Sequence, residues 1–246
     1  MKNRMIGLVL AAALPYVLTA QQPSAEALLD RIDNNEIYDT IMYDGEMIIT
    51  YKGQRFVKTM KVWAKGSTLS FIEFTNTDDV GTKYLKRDGR LYMYSLDLEK
   101  PLLISSNMLK QSMMNSDMSY EDTIDNDKLS VRYTSRIAGE EAVDGKSCWV
   151  LELTAKKKTE SYPTQKIWVD KASGDMVRSE QYALSGKKLK EYRLRKVESF
   201  GGKRYPVEVE IRDLLRRDSS TVMTMKNVVL DKPIADSVFS TQNLER

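Results

Sequence analysis

The stretch "EMIITYKGQRFVKTMKVWAKG", residues 46–66, decides the fold class. Its apolar residues recur every second position. Met47, Ile49 and Tyr51 share one face of a first run, and Val57, Thr59, Lys61 and Trp63 share one face of a second. Lys52-Gly53-Gln54 supplies the turn between them. A period of two around a glycine turn predicts a β-hairpin.

The same grammar continues downstream. "STLSFIEFTN" predicts a third strand, and "GTKYLKRDGRLYMYS" a second hairpin, because Asp88-Gly89 tolerates the positive backbone angles of a two-residue turn. Further strands are predicted near residues 129–137, 147–155, 165–170, 175–184, 188–199, 205–214 and 221–229. Asp144-Gly145, Ser173-Gly174 and Phe200-Gly201-Gly202 punctuate them. About eleven strands at even spacing predict a mainly β chain built on an antiparallel sheet or barrel. "PIADSVFSTQNL" closes the chain as a short helical turn and tail. Neither a Gly-, Pro- or Ser-rich linker nor a repeat of fixed period interrupts residues 21–246, which are expected to form a single domain.

Upstream, Ser24 is placed to cap a helix carrying Ala25, Leu28, Leu29 and Ile32 on one face, failing near Asp33-Asn34-Asn35. Before it, "MKNRMIGLVLAAALPYVLTA" has Lys2 and Arg4, a short apolar run and a small residue at Ala20. This pattern predicts a signal peptide over residues 1–20, cleaved before Gln21, and an exported protein. The apolar run is broken at Pro15 and too short to span a bilayer.

Several strands are apolar on both faces. "RLYMYS" sets Leu91 and Met93 against Tyr92 and Tyr94, and "CWVLEL" sets Trp149, Leu151 and Leu153 against Val150. A sheet with one wet face alternates more cleanly. The N-terminal helix, a methionine-rich segment or a ligand is therefore expected to cover the second face.

Composition narrows the chemistry. The chain has no histidine and one cysteine, Cys148, in a strand-like run that suits packing. That removes the usual catalytic base, most catalytic zinc sites and an internal disulfide. No phosphate-binding glycine loop, dinucleotide fingerprint or calcium loop occurs. Asp78-Asp79, Glu121-Asp122 and Glu140-Glu141 are the carboxylate pairs that could run glycoside hydrolysis, which would require two of them facing across a groove. The expectation is a binding protein, not an enzyme, with no cofactor, no catalytic residue and no metal site. The net charge is +3, of which Lys2 and Arg4 contribute two, so no nucleic-acid signature is present. Local basic clusters at Lys156–Lys158, residues 187–196 and Arg216-Arg217 suit strand edges and hairpin tips, or anionic headgroups.

"MLKQSMMNSDMSYEDT", residues 108–123, places Met108, Met113, Met114 and Met118 between strands. Unbranched thioether side chains repack around guests of different shape, so these methionines serve as a lid or as a core plug. Trp63, Phe71, Tyr92, Trp149 and Trp168 are candidate cavity-wall residues. Asp117, Glu121 and Asp122 are expected to cap a short helix starting near Ser119.

Four stretches in order, "GTKYLKRDGRLYMYS", "NSDMSYEDT", "AGEEAVDGKSCWVLEL" and "KIWVDKASGDMVRSEQY", resemble the outer-membrane lipoprotein-sorting family, the LolA-like periplasmic proteins. The resemblance runs from about Ala25 to Leu244. Asn115 stands where the family usually has glycine, Met118 where it has an aromatic, and Thr123 where it has an apolar residue. The resemblance implies a strongly curved antiparallel sheet, a half-closed barrel covered on its concave side by short helices, with an apolar cavity for acyl chains or another hydrophobic ligand. It implies a periplasmic lipoprotein-sorting or lipid-carrier protein that shields acyl chains during transfer between membranes. Its partners would be acylated lipoproteins or another lipid, an inner-membrane export complex and an outer-membrane acceptor. A sensor of the same fold, which binds lipoproteins and signals through a protein partner, is the alternative.

Overall fold

The computed structural model describes residues 22–36, 38–123 and 127–245; the predicted leader and its cleavage point lie outside them. Helix α1 (Ala25–Glu36) opens the described chain. Ser24 Oγ accepts the amide of Ala27 at 3.1 Å, the predicted cap. A continuous run of strands follows: β1 (Thr40–Tyr51), β2 (Gln54–Lys65), β3 (Leu69–Phe74), β4 (Lys83–Arg87), β5 (Arg90–Tyr94) and β6 (Leu102–Leu103). A crossing segment then carries α2 (Ser106–Leu109), short 3-10 turns at Met113–Asn115 and Glu121–Thr123, and α3 (Leu129–Arg132). The second run is β7 (Tyr133–Val143), β8 (Lys146–Ala155), β9 (Thr164–Asp170), β10 (Met176–Tyr182), β11 (Lys188–Phe200), β12 (Lys203–Asp213) and β13 (Ser219–Leu230). A 3-10 turn at Asp236–Phe239 and α4 (Thr241–Leu244) form the tail.

All these strands join one curled, open antiparallel sheet of 13 strands, against about eleven expected. The order is β6-β5-β4-β3-β2-β1-β13-β12-β11-β10-β9-β8-β7. Two meanders thus meet at a central seam, where Met47 lies opposite Met223 and Ile49 opposite Thr221. The short edge strand β6 carries no alternation to reveal it. Residues 129–132, expected to begin a strand, form a helical turn instead. The Asp33 carboxylate accepts the amides of Leu129 and Ser130 at 2.8 and 3.0 Å and holds that turn in place.

The predicted hairpin turns stand where the positive φ angles are needed. Lys52 and Gly53 have φ of 49° and 77°, and Asp88 and Gly89 have 54° and 68°. A Cβ added at Gly89 would meet no atom within 4 Å, so Gly89→Ala carries only a conformational penalty. It should lower stability by about 1 kcal/mol. A thermal melt reads this as a fall of a few degrees.

The topology dictates what covers each face. Because β6 and β7 are opposite edges, the chain between them must cross the whole sheet. It crosses the concave face. There Met113, with Met108, Leu109, Met114, Met118 and Tyr120, packs on Met47, Ile49, Met60, Val62, Phe74, Tyr84 and Met223. Helix α1 covers the other half of that face, setting Leu28, Leu29 and Ile32 on Leu151, Leu153, Ile167 and Val169. On the convex face the tail lays Phe239 and Leu244 over Phe71 and Leu85. These covers account for strands that are apolar on both sides.

Candidate functional site

Between α1, the crossing segment and the concave face lies an open hollow of about 670 Å³, within the range of small-molecule sites. Its apolar wall comes from Met118, Met176, Ile211, Leu129, Pro206 and the rings of Tyr38, Tyr192 and Tyr205. Strand register brings several of these together: Ser179 lies opposite Tyr192, and Tyr192 opposite Ile211. A smaller hollow of about 110 Å³ shares Tyr38, Met118 and Tyr205 with it and extends toward Met47, Met60, Met113 and Met223.

The far wall is polar. Lys190, buried, is hydrogen-bonded to Asp122 and reaches Ser119 Oγ at 3.2 Å. Tyr162 donates to the other Asp122 oxygen at 2.7 Å. Burial and then the Asp122 charge push the Tyr162 phenol well above its ordinary range. Burial likewise raises the phenols of Tyr192 and Tyr205. These rings stay neutral and line the hollow as amphipathic surface. The hollow is therefore amphipathic along its length, where the resemblance implied an apolar one.

Glu36 ends α1 and lines the hollow. Its carboxyl has no hydrogen-bond or ion-pair partner among the described residues. Burial, reinforced by the charges of Asp33 and Asp175, pushes its pKa up to about 7. The neighbouring acids are committed. Asp33 caps α3, Asp175 is bidentate with Arg204 at 2.9 and 2.6 Å, and Glu191 meets Arg178 at 3.3 Å and Arg193 at 2.5 Å.

Around residues 112–117 the crossing segment is fastened at two further points. Asp117, 1% exposed, accepts the hydroxyls of Thr221 at 2.7 Å and Ser219 at 2.9 Å and the amide of Asp213 at 3.0 Å. Its own amide donates to Thr221 Oγ1 at 2.9 Å. Arg216 donates to Ser112 Oγ, the Asn115 carbonyl at 2.9 Å and the Ser116 carbonyl. That grip spans Met114 and Asn115, whose φ angles of 52° and 60° make a sharp left-handed bend. The expected capping role is thus divided. Asp122 performs it, accepting the Ser119 amide at 2.7 Å, while Asp117 ties the segment to the sheet.

Of the candidates named from sequence, Met118 lines both hollows and Met113 the smaller one. Met108 and Met114 pack against the adjoining core. The aromatic candidates lie elsewhere. Trp63, Phe71 and Tyr92 sit under the C-terminal tail on the convex face, with Trp63 and Phe71 rings 5.9 Å apart. Trp149 packs beside the α1 core, with the Lys171 ammonium 3.9 Å from its ring centre. Trp168 is buried on the convex face between Lys166 and Arg178 and donates Nε1–H to Glu141 at 2.8 Å. Tyr38, Tyr192, Tyr205, Glu36 and Lys190 were not singled out. The alternation on β12 (Tyr205, Val207, Val209, Ile211) was the one signal that could have found part of the wall. Cys148 is buried, as expected for packing.

In the carboxylate pairs at least one member is committed: Asp79 to Lys58 at 2.5 Å, Asp122 to Lys190 and Tyr162, and Glu141 to Trp168.

Comparison with solved structures finds the same architecture. A DUF1329 family protein from Desulfovibrio piger is 26% identical, covers 89% of this chain and 97% of its own, and superposes with a TM-score of 0.80. A LolA superfamily protein from Nitrosomonas europaea is 19% identical over 90% of this chain and 100% of its own, TM-score 0.75. A structure from Vibrio parahaemolyticus described as a putative outer membrane lipoprotein-sorting protein domain is 19% identical over 90% and 98%, TM-score 0.78. A search of curated proteins finds no match. The resemblance read from the four sequence stretches is therefore met in the fold, which is LolA-like. Residues 66–246 match the family model described as "-like: Uncharacterized protein", and the chain belongs to that family.

Proposed function

We propose that this protein is a periplasmic carrier that holds the acyl chains of lipoproteins, or another lipid, during transfer between membranes. The open hollow between curved sheet, α1 and the methionine-bearing segment carries this reading. Each methylene moved from water to such a wall is worth about 0.8 kcal/mol, so a partly sheltered chain is held with few polar contacts. Met113 and Met118 give one wall a surface that adapts to different guests. The phenols and the Lys190–Asp122 pair supply a polar end suited to an amphiphile's headgroup. The likeness to a structure described as lipoprotein-sorting supports the same reading. In it, residues 21–246 act as one domain after removal of residues 1–20, and an inner-membrane complex and an outer-membrane acceptor stand on either side.

Protein purified without detergent and examined by native mass spectrometry should carry lipid, and delipidated protein should take up a fluorescent fatty acid. Met176→Trp, which fills part of the wall, should weaken that uptake by about tenfold or more while the fold is kept. No bound lipid together with no uptake would reject the carrier.

A further inference from the structure

Four loops follow one another along one end of the sheet. Register places them there: Tyr51 pairs with Gln54 and with Ser219, Lys190 with Asp213, Tyr182 with both Lys188 and Thr164, and Thr154 with Thr164. Main-chain bonds tie neighbouring elements at this end together, Lys52 N to Asp218 O at 2.9 Å between two loops and Leu214 N to Leu189 O, in β11, at 2.8 Å.

The side chains on these loops are unusual for a surface. Leu184 is 89% exposed at the β10–β11 turn, Leu214 and Leu215 are 42% and 56% exposed at the β12–β13 turn, and Phe56 is 46% exposed beside the β1–β2 turn. Each apolar tip is flanked by exposed cations: Lys187, Arg217, and Lys52 with Arg55. The β8–β9 loop adds Lys157 and Lys158. None of these cations has a carboxylate partner among the described residues. The acids present are Asp213, Asp218 and Glu160, the last held by Arg132 at 2.5 Å. Tyr162, Lys190 and Lys128, at the same end, line the hollow together with the acids Asp122 and Asp127.

Apolar tips set in unpaired positive charge complement a bilayer that offers hydrocarbon beneath anionic headgroups. We infer that this end of the sheet docks on an anionic phospholipid surface, with the mouth of the hollow facing the membrane. A protein partner would also have to match isolated leucines at the tips of separate hairpins; a fluid interface accepts them without a fitted pocket. The inference deepens the carrier reading by naming the surface it works against, and its test is separate.

The experiment is flotation of the protein, expressed with its own N-terminal segment and purified, with vesicles of phosphatidylethanolamine and phosphatidylglycerol. Phosphatidylcholine vesicles are the comparison. Binding to the anionic vesicles is expected, weakening as salt is raised. Leu184→Ser with Leu215→Ser, and separately Lys157→Glu with Lys158→Glu, should each weaken it by about tenfold or more. These positions are exposed, so circular dichroism should match the parent, and fatty-acid uptake in vesicle-free solution should be unchanged. No flotation at low salt, or flotation indifferent to both variants, would overturn the docking surface. Loss of uptake in the parent would instead overturn the carrier.

Discussion

Glu36→Gln is expected to stabilise the protein by about 2 kcal/mol near pH 8 and to change almost nothing near pH 4. The folded carboxyl has a pKa of about 7 against an ordinary 4.5, chiefly because burial disfavours its charge, with Asp33 and Asp175 adding repulsion. A raised carboxyl pKa means that the folded state binds the proton more tightly than the unfolded chain. Between pH 4.5 and about 7 the folded state therefore carries more protons, and stability falls as pH rises through that window. Above it the full penalty is present; below it there is none. Glutamine cannot ionise, so the variant should lose this part of the slope. Urea melts at several pH values, parent against variant, measure it. Parallel stability curves from acid to alkaline pH would refute the assignment.

The second large effect is expected at Asp117. Asp117→Ala removes a buried carboxylate that accepts two hydroxyls and one amide, and leaves fully buried Thr221 without its acceptor. Hydrogen bonds to a charged group are worth about 1.5–3 kcal/mol, and breaking a buried network costs more than one of them. A loss of about 3–4 kcal/mol should appear as a melting temperature lower by about 10 °C. Because Asp117 anchors the crossing segment, amide exchange should quicken first at Met113, whose N–H bonds the Met118 carbonyl at 2.8 Å. A melting temperature within a degree or two of the parent would mean that Arg216, the Asp122 contacts and the methionines hold the segment without Asp117.

What could be read in the sequence was local. Lys52-Gly53 and Asp88-Gly89 sit where hairpins demand left-handed backbone, and Ser24 caps the helix it precedes, because these choices depend on a few adjacent residues. The faces were harder. Trp63 and Phe71 were chosen for size, yet alternation only sorts residues into two sides. It does not say which side curves inward. That depends on where the segment between β6 and β7 crosses, which follows from edge positions set by the whole sheet order. The hollow's rings are scattered for the same reason: Tyr38, Tyr192 and Tyr205 meet only after remote strands have paired. Asp117 was read as a local cap because acids favour helix starts. Its true partners lie about a hundred residues away.

The seam between β1 and β13 has a consequence for folding. Glu46 is opposite Thr224, so the middle of the sheet is completed only when β13, the last of these strands in chain order, has paired. Until then the β1–β6 array presents a long bare border of amides and carbonyls, open to pairing with another incompletely folded copy. The protein should thus assemble late and slowly, with premature release or truncation before Ser219 the moment of greatest danger from clumping.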